Sequence, residues 1–289
     1  MRILVTGAKG RLGSRLVEVL SVPRGMQTHT VIGVDIQDID ITDFKRIRHY
    51  VEDLRPDIIL HCAAWTDVDA CALAPEKAIE INGYGAQNVA LAAANVGASI
   101  LHVSTNEVFD GHPNHAYYEY DMPNPINAYG YSKFVGERAV MTVNPKHYIV
   151  RTAWLFAHGG KNFIQAILNA AKAGKRLKVV TDEVANPTYN DDLADAIAQL
   201  IDTERYGIYH LSNEGACSRY TFARYLLDQA GYERTNIEAI SSREWARPSH
   251  PPTYSGLVNI AGRMLGIRLR TWQEAVDAFL LSEGVLKKK

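Results

Sequence analysis

The chain has 289 residues, of which 47% are hydrophobic and 22% charged, and its formal net charge is −1. This length is sufficient to bury a full core in one large domain or two closely packed ones. The near-neutral charge predicts neither a nucleic acid nor an anionic membrane surface as a partner, and no apolar run is long enough to span a bilayer. The three cysteines are scattered without metal-ligand spacing, and no secretory signal pattern is present, so we expect a cytoplasmic protein with reduced thiols and no metal.

The N-terminal segment predicts a strand, a glycine turn and a helix. Arg2–Thr6 is an apolar run of strand length, three glycines spaced three apart follow it, and leucines and valines then recur at helical period. Glycine permits a tight turn with φ > 0 and a close approach of the backbone to a ligand, and the helix N-terminus favours a pyrophosphate. The pattern favours a dinucleotide site over an ordinary strand-to-helix turn. We expect this segment to contribute Gly7, Lys9, Gly10, Arg11, Leu12 and Gly13.

The next two strands extend the same site. Asp35 ends the strand Val31–Val34, where a carboxylate accepts hydrogen bonds from ribose hydroxyls and repels a 2′-phosphate. Asp35 therefore favours NADH, whereas Lys9 and Arg11 offset the repulsion, so NADH and NADPH both stay open as cofactors. The third strand, Asp57–Leu60, leads into small residues that let a loop lie close to the cofactor: Cys62, Ala63 and Ala64.

A polar cluster follows the fourth predicted strand. We expect a helix over 43–54 capped by Thr42, a long helix from about Pro75 to Ala94, and then the strand Ser99–Val103. Ligands in open α/β sheets bind beyond the carboxyl ends of the strands, which makes the cluster after this strand a candidate site. Its members are Thr105, Asn106 and Glu107.

Tyr129 and Lys133 form the chemical centre of the prediction. They lie at positions i and i+4 of a helical pattern and so share one face. An unassisted phenol, with a pKa near 10, is a poor proton donor at neutral pH, and an ammonium one turn away draws that pKa downwards. The pair alone is a weak signal. In combination with the glycine loop and the strand-end hydroxyl of Thr105, it predicts a catalytic set of Thr105, Tyr129 and Lys133. Tyr131 is expected to pack.

The alternation of strands and helices loosens after about residue 212, which indicates a second, smaller unit. The predicted fold is α/β, a doubly wound parallel Rossmann-type sheet with a smaller C-terminal substrate-binding lobe. We expect the dinucleotide-binding domain to span 1–160 and about 189–212, and the lobe to span 161–188 and 213–289. Trp154, Arg247 and His250 are candidates for contacts with a sugar or a diphosphate. A core tryptophan and a solvated arginine remain the alternative.

These motifs together resemble the extended short-chain dehydrogenase/reductases, and within them the dTDP-4-dehydrorhamnose reductase family, over essentially the full length. The resemblance is carried by Gly7–Gly13, Thr66–Asp69, Ser104–Gly111, Tyr129 with Lys133 and Gly136-Glu137, Arg151–Trp154, Asn162-Phe163, Pro187-Thr188 and Tyr254–Leu257. The chain departs from the family pattern at three places. Asn106-Glu107 replaces the usual Asp-Tyr, His61-Cys62-Ala63 replaces Asn-Ala-Ala, and Pro251-Pro252 replaces Arg-Pro.

The resemblance implies an NAD(P)H-dependent oxidoreductase that reduces the 4-keto group of a nucleotide-linked deoxysugar, with dTDP-4-dehydrorhamnose as the expected substrate. It implies that Tyr129 gives a proton to O4, Lys133 binds the nicotinamide ribose and lowers the pKa of the tyrosine, and Thr105 holds the carbonyl oxygen. Asn106, Glu107, Trp154 and Arg247 would contact the substrate. A nucleotide-sugar epimerase or dehydratase, and a non-catalytic subunit resembling the β subunit of methionine adenosyltransferase, remain alternatives. A homodimer is an assembly that the sequence leaves open.

Overall fold

The computed structural model describes residues 1–23, 28–113, 115–159 and 162–285, in which helices and strands alternate along most of the chain. The strands are β1 Arg2–Thr6, β2 Thr30–Val34, β3 Ile58–His61, β4 Ser99–Thr105, β5 His147–Thr152, β6 Leu155–Phe156, β7 Leu177–Val180, β8 Val184–Ala185, β9 Thr188–Tyr189, β10 Gly207–His210, β11 Cys217–Ser218 and β12 Ile237–Ile240. The helices are α1 Arg11–Ser21, α2 Phe44–Leu54, α3 Val68–Leu73, α4 Pro75–Ile79, α5 Ala86–Asn95, α6 Ala128–Val143, α7 Phe163–Lys172, α8 Asn190–Ile201, α9 Arg219–Gln229, α10 Ala261–Met264 and α11 Trp272–Ser282.

Within the described ranges, six parallel strands form the central sheet in the order β10-β5-β4-β3-β1-β2. The strand order reverses at β1, which pairs with β2 on one side and β3 on the other. A reversal of this kind opens a crevice at the carboxyl ends of the two central strands, where open α/β sheets bind their ligands. The prediction of a doubly wound parallel sheet is confirmed.

The sheet is covered on both faces, as its apolar strands require. Leu16 of α1 and Ile197 of α8 belong to one buried cluster, and Ile47 of α2, Val89 of α5 and Val140 of α6 belong to another. The two clusters take alternate residues of β1, since Ile3 and Val5 lie in the first and Leu4 in the second. This packing holds the strand ends, and therefore the loops that follow them, in fixed positions.

A separate apolar core lies among α7, α9 and α11. Its fully buried members include Ile164, Phe222 and Phe279. The last helix begins with a reciprocal capping box between Thr271 and Glu274. β7 pairs with β12 in parallel beside this core. The predicted domain boundary at residues 160 and 161 lies outside the described residues.

Three local predictions were wrong. The long helix from Pro75 is interrupted by a π-helical segment over Glu80–Gly85. Asp43, whose side chain accepts from the Arg46 amide, caps α2 in place of Thr42. Tyr131 does not pack, because half of its surface is exposed. Tertiary packing decides each case, since helical periodicity and cap preference alone allow either outcome.

No helix within residues 1–23, 28–113, 115–159 and 162–285 combines the length and the apolar character that crossing a membrane requires.

Candidate active site

The cofactor crevice is a space of about 730 Å³ at the carboxyl ends of β1, β2 and β3. Of the residues predicted to bind a dinucleotide, it is lined by Gly7, Lys9, Gly10, Asp35, Cys62, Ala63 and Ala64. Arg11 lines a neighbouring cavity, and the Leu12 side chain is buried in the core beside α1. The sequence reasoning did not find Trp65 and Lys77, which also line the crevice, with the Lys77 ammonium 5.1 Å from the ring centroid of Trp65.

Backbone packing explains the glycines at the base of this crevice. Gly7 has φ of +70°, and a Cβ there would lie 2.7 Å from the Ala63 nitrogen. A Cβ on Gly13 would overlap the carbonyl oxygen of Gly7. The Gly10 amide donates to Gly7 across the turn, and α1 begins directly after Gly10 without a side-chain cap. The first amides of α1 are thus left to a ligand, and the glycines let the turn, the start of α1 and the loop after β3 pack closely together.

Asp35 lies at the edge of the crevice with its carboxylate held by main-chain donors. Its Oδ2 accepts from the Lys9 amide at 2.8 Å, and its Oδ1 accepts from the Ile36 amide at 2.8 Å. The Lys9 ammonium donates to the Gln37 side chain at 2.9 Å. The negative charge of Asp35 therefore stays at the position predicted for the ribose.

Thr105, Tyr129 and Lys133 are brought together by β4 and α6. The first turn of α6 packs on the segment after β4 so closely that a Cβ on Gly130 would overlap the carbonyl oxygen of Glu107. A polar contact joins the side chains of Tyr129 and Thr105. Lys133 follows one helical turn later, is 2% exposed, and interacts electrostatically with Cys62 of the crevice. The three side chains therefore lie beside the cofactor crevice.

The electrostatics of this group differ in one respect from the prediction. Burial lowers the pKa of Lys133 to about 8, against an opposing effect of Glu137. Burial, reinforced by the nearby Glu107, raises the pKa of Tyr129 above its usual value. The expected lowering of the tyrosine's pKa by Lys133 is absent in the described structure, because desolvation of the phenolate and the nearby Glu107 carboxylate both act in the opposite direction.

Asn82 anchors the helix that carries the tyrosine and the lysine. Its amide nitrogen donates to Ser132 of α6 at 2.9 Å and to the Trp65 carbonyl at 3.0 Å, and its oxygen accepts from the Trp65 amide. Asn82 lies in the π-helical segment, which is a common feature of functional sites. The sequence places Asn82 in a helix but gives no signal of this anchoring role.

A buried ion pair and two buried imidazoles support the same region. Arg151 and Glu137, both almost fully buried, form a bidentate pair at 2.7 and 2.9 Å. His61 and His102 stack at a centroid distance of 5.3 Å, and the Thr6 hydroxyl lies 2.7 Å from His61 Nδ1. Burial, together with the charge of Lys133, lowers the pKa of His61 to about 3, so the imidazole that replaces the family's asparagine is neutral.

The basic cleft is a second cavity, of about 570 Å³, between the sheet and the α7–α9–α11 core. Its charged lining residues are Arg11, Lys178, Glu183, Arg219 and Arg247. The Arg219 guanidinium stacks 3.6 Å above the Trp154 ring, and Trp154 itself has a left-handed φ of +41°. A bulky residue in this conformation is strained, and such strain concentrates at functional sites.

Carboxylates organise the arginines of the basic cleft. Glu183 lies 3.6 Å from Arg219 and 3.9 Å from Arg247, and Asp69 accepts from Arg247 at 3.0 Å. Trp154 and Arg247 thus lie together, as the sequence suggested, whereas the side chain of His250 is exposed. The sequence did not identify Arg219 and Glu183 as site residues, because nothing in their local sequence indicates that the two side chains meet.

Asn106 and Glu107 take different positions. The Asn106 amide is buried and donates to the Ser255 hydroxyl at 2.6 Å. Glu107 is half-buried, accepts from Asn127 at 2.8 Å, and interacts electrostatically with Tyr129, Arg219 and Arg247. Glu107 therefore lies between the catalytic group and the basic cleft.

Comparison with known proteins assigns the chain to a family. The family model described as the RmlD substrate binding domain matches residues 1–284. The chain belongs to the RmlD family. The spore coat polysaccharide biosynthesis protein SpsK of Bacillus subtilis is 38% identical, with 96% of each chain covered. The dTDP-4-dehydrorhamnose reductase of Aggregatibacter actinomycetemcomitans is 35% identical, with 95% of this chain and 97% of that protein covered.

A solved structure extends this similarity to three dimensions. The crystal structure of dTDP-4-dehydrorhamnose reductase from Bacillus anthracis in complex with NADP has a TM-score of 0.92 and is 36% identical. The comparison covers 97% of this chain and 99% of that one. The family resemblance drawn from the sequence motifs is therefore confirmed.

Proposed function

We propose that this RmlD-family protein reduces the 4-keto group of dTDP-4-dehydrorhamnose to give dTDP-L-rhamnose, with NADPH or NADH as the reductant. The observation that carries the proposal is the position of Thr105, Tyr129 and Lys133. These groups lie beside a crevice with the features of a dinucleotide site, and Glu107 links them to a basic cleft of the size and charge that suit a nucleotide sugar.

The residues present fit a nicotinamide dinucleotide. Glycine at positions 7 and 13 lets the turn pack directly against Ala63 and the start of α1, and α1 offers its first amides to the pyrophosphate. Asp35 accepts hydrogen bonds from the adenosine ribose, and Lys133 binds the nicotinamide ribose. When bound, the reduced cofactor supplies the hydride for C4 of the sugar.

The protein's own groups manage the proton. Tyr129 donates its phenolic proton to O4 as negative charge develops there, and the Thr105 hydroxyl holds the same oxygen. The raised pKa of Tyr129 keeps it protonated before the reaction, which suits an acid. Lys133, with a pKa of about 8, is a cation at neutral pH and stabilises the phenolate that remains after transfer.

The basic cleft holds the rest of the substrate. Arg219 and Arg247 provide planar guanidinium groups for the diphosphate, and Trp154 provides an aromatic surface. Arg219 is fixed by stacking on Trp154 and by Glu183, so little conformational entropy is lost when a diphosphate binds.

The assembly and organisation of the protein complete the proposal. We assign residues 1–160 and about 189–212 to the dinucleotide-binding domain, and residues 161–188 and 213–289 to the substrate-binding lobe. The protein acts in the cytoplasm on a nucleotide sugar, without a nucleic acid or membrane partner. A homodimer is its proposed assembly.

Spectrophotometric assay of cofactor oxidation tests the proposal. Addition of dTDP-4-dehydrorhamnose to the protein with NADPH or NADH should consume cofactor and yield dTDP-L-rhamnose, whereas dTDP-glucose, which lacks the keto group, should consume none. If neither cofactor is oxidised with the keto sugar, the proposed function is wrong. A pull-down that recovers a partner enzyme would then favour the regulatory-subunit alternative.

A further inference from the structure

Glu107 is a carboxyl group that the reductase chemistry does not use. Reduction of a ketone needs a hydride and one proton at the oxygen, and Tyr129 accounts for that proton. Yet Glu107 lies beside Tyr129 and influences its ionisation. A carboxylate next to a carbonyl-activating acid calls for a chemical explanation, because it repels the phenolate that the reaction generates.

The surroundings of Glu107 leave one of its oxygens available. Its Oε2 accepts from the Asn127 amide at 2.8 Å, and its main chain is fixed against Gly130 and the Thr105 hydroxyl. The side chain is half-buried, and among the described residues it has no ion-pair partner within 4 Å. The other carboxylates nearby are engaged differently, since Glu183 and Asp69 pair with arginines.

The ionisation of Glu107 suits a base. Burial and the nearby Glu183 raise its pKa above the usual value, while the Asn127 hydrogen bond, Arg219 and Arg247 act in the opposite direction. A carboxylate whose pKa is raised in this way is a stronger base than one in water.

The proposed substrate, a 4-keto sugar, has acidic C–H bonds on the carbons next to C4. A hydrogen on a carbon next to a carbonyl is acidified, because its removal gives an enolate that an acid at the carbonyl oxygen can protonate. Enolisation therefore needs a base near that carbon and an acid near O4. Glu107, in the segment that follows β4, and Tyr129, in the first turn of α6, provide this pair.

We propose that Glu107 is a second acid–base group of the site, which enolises the bound 4-keto sugar together with Tyr129. The Glu107 Oε1 removes a proton from a carbon next to C4, and the C–H electron pair forms a C=C bond to C4. The C4=O π pair moves to O4, which takes the phenolic proton of Tyr129. Reversal returns a proton from Glu107 to the same carbon, so the sugar is neither oxidised nor reduced and its configuration is retained.

This inference rests on the proposed function, because it needs a 4-keto sugar at Tyr129. Deuterium exchange tests it. The protein is incubated with dTDP-4-dehydrorhamnose and NADP⁺ in D₂O, so that no hydride is available. Mass spectrometry and NMR then measure the deuterium on the carbons next to C4, relative to a reaction without protein. Parallel assays with NADPH measure reduction of the same substrate.

The wild-type protein should exchange the hydrogen at least about tenfold faster than the protein-free reaction, because a positioned base contributes about 10²–10⁴ in rate. Glu107→Gln retains an oxygen that accepts from Asn127 but cannot take a proton. Its exchange rate should fall at least tenfold more than its reduction rate, and Glu107→Asp should recover part of the exchange. Glu52→Gln makes the same chemical change in an exposed ion pair on α2 and should leave both rates unchanged.

Three results would overturn the inference. If the wild type reduces the sugar but exchanges no faster than the protein-free reaction, Glu107 is not a base and the reductase proposal stands alone. If Glu107→Gln lowers exchange and reduction equally, Glu107 only positions α6 through Asn127. If the sugar is neither reduced nor exchanged, the proposed function itself is wrong and this inference fails with it.

Discussion

The cofactor crevice and the basic cleft are built in different ways. The crevice is made mainly by the ends of β1, β2 and β3 and the segments that follow them, and its lining includes Gly7, Gly10, Ala63 and Ala64. The cleft is made by charged side chains from distant segments, and Arg247 and Asp69 are 178 residues apart in the chain. A surface made by consecutive strand–helix units follows from local sequence, whereas a surface made of distant side chains depends on the whole fold.

The largest effect should come from a side chain added in the glycine turn at the base of the crevice. In Gly13→Ala the new Cβ would overlap the Gly7 carbonyl and displace the turn, so the affinity for NADPH should fall by about a hundredfold or more. Calorimetric titration with the cofactor measures this. Gly262→Ala is the control, because its Cβ would meet the Leu211 side chain at 3.1 Å and Ile267 only at ordinary contact distances of 3.6 and 3.9 Å. If Gly13→Ala binds the cofactor normally, the glycine turn is not its site.

Removing a cation from the cleft should affect the other ligand. Arg219→Met should raise the KM for the nucleotide sugar by about 10- to 100-fold, since a charge-assisted hydrogen bond is lost. The dissociation constant of the cofactor should not change. Arg176→Met removes an exposed arginine paired with Glu238 and serves as the matched control. Equal losses for both ligands would indicate that Arg219 maintains the fold and does not bind substrate.

Lys133 interacts with Cys62 of the crevice and should give cofactor binding a pH dependence. Burial places its pKa at about 8, so its charge is present below that pH and is lost as the pH rises through it. The cofactor dissociation constant should therefore increase between about pH 7 and pH 9, by up to about tenfold per pH unit above the pKa. Lys133→Met should bind weakly at every pH without this slope.

The control for that titration is Lys45→Met, which changes an exposed lysine on α2 and should keep the wild-type slope. A Lys133→Met variant whose binding retains the slope would assign the titration to another group.

The smallest expected effect concerns the choice of cofactor. The Asp35 carboxylate lies at the edge of the crevice where the sequence predicts the ribose, and it should disfavour a 2′-phosphate by about 1–2 kcal/mol in this partly solvated site. Asp35→Ala should therefore shift the ratio of the NADPH and NADH dissociation constants towards NADPH by about 5- to 30-fold. Asp53→Ala, at an exposed position of α2, should leave the ratio unchanged. If the ratio of the two dissociation constants is unchanged in Asp35→Ala, Asp35 does not lie at the ribose.

The same contrast explains what the sequence could predict. Gly7, Gly13 and Asp35 have spacings that local strand–helix geometry requires, and the capping box at Thr271 is equally local. Arg219 gives no such signal, because its function depends on Trp154 and Glu183, which lie in other segments. The π-helical turn at Asn82 also escaped prediction; there α6 packs so closely that a Cβ on Gly136 would lie 2.4 Å from the Asn82 carbonyl oxygen, a contact that local sequence does not show.

The pKa of Tyr129 illustrates a further limit. The sequence shows an ammonium one turn away, which favours the phenolate, but it does not show how deeply the phenol is buried or that Glu107 lies beside it. Desolvation and the carboxylate reverse the expected direction in the described structure. The spacing of two residues in the sequence predicts which groups meet, whereas the sign of a pKa shift depends on every group around the titrating side chain.

The central claim is that Tyr129 supplies the proton for ketone reduction, and Tyr129→Phe tests it most directly. Only the hydroxyl is lost, so melting temperature and NADPH affinity should stay close to wild type. Single-turnover oxidation of bound NADPH by dTDP-4-dehydrorhamnose should slow by at least about a hundredfold. A Tyr129→Phe protein that binds both ligands and oxidises NADPH at the wild-type rate would contradict the account.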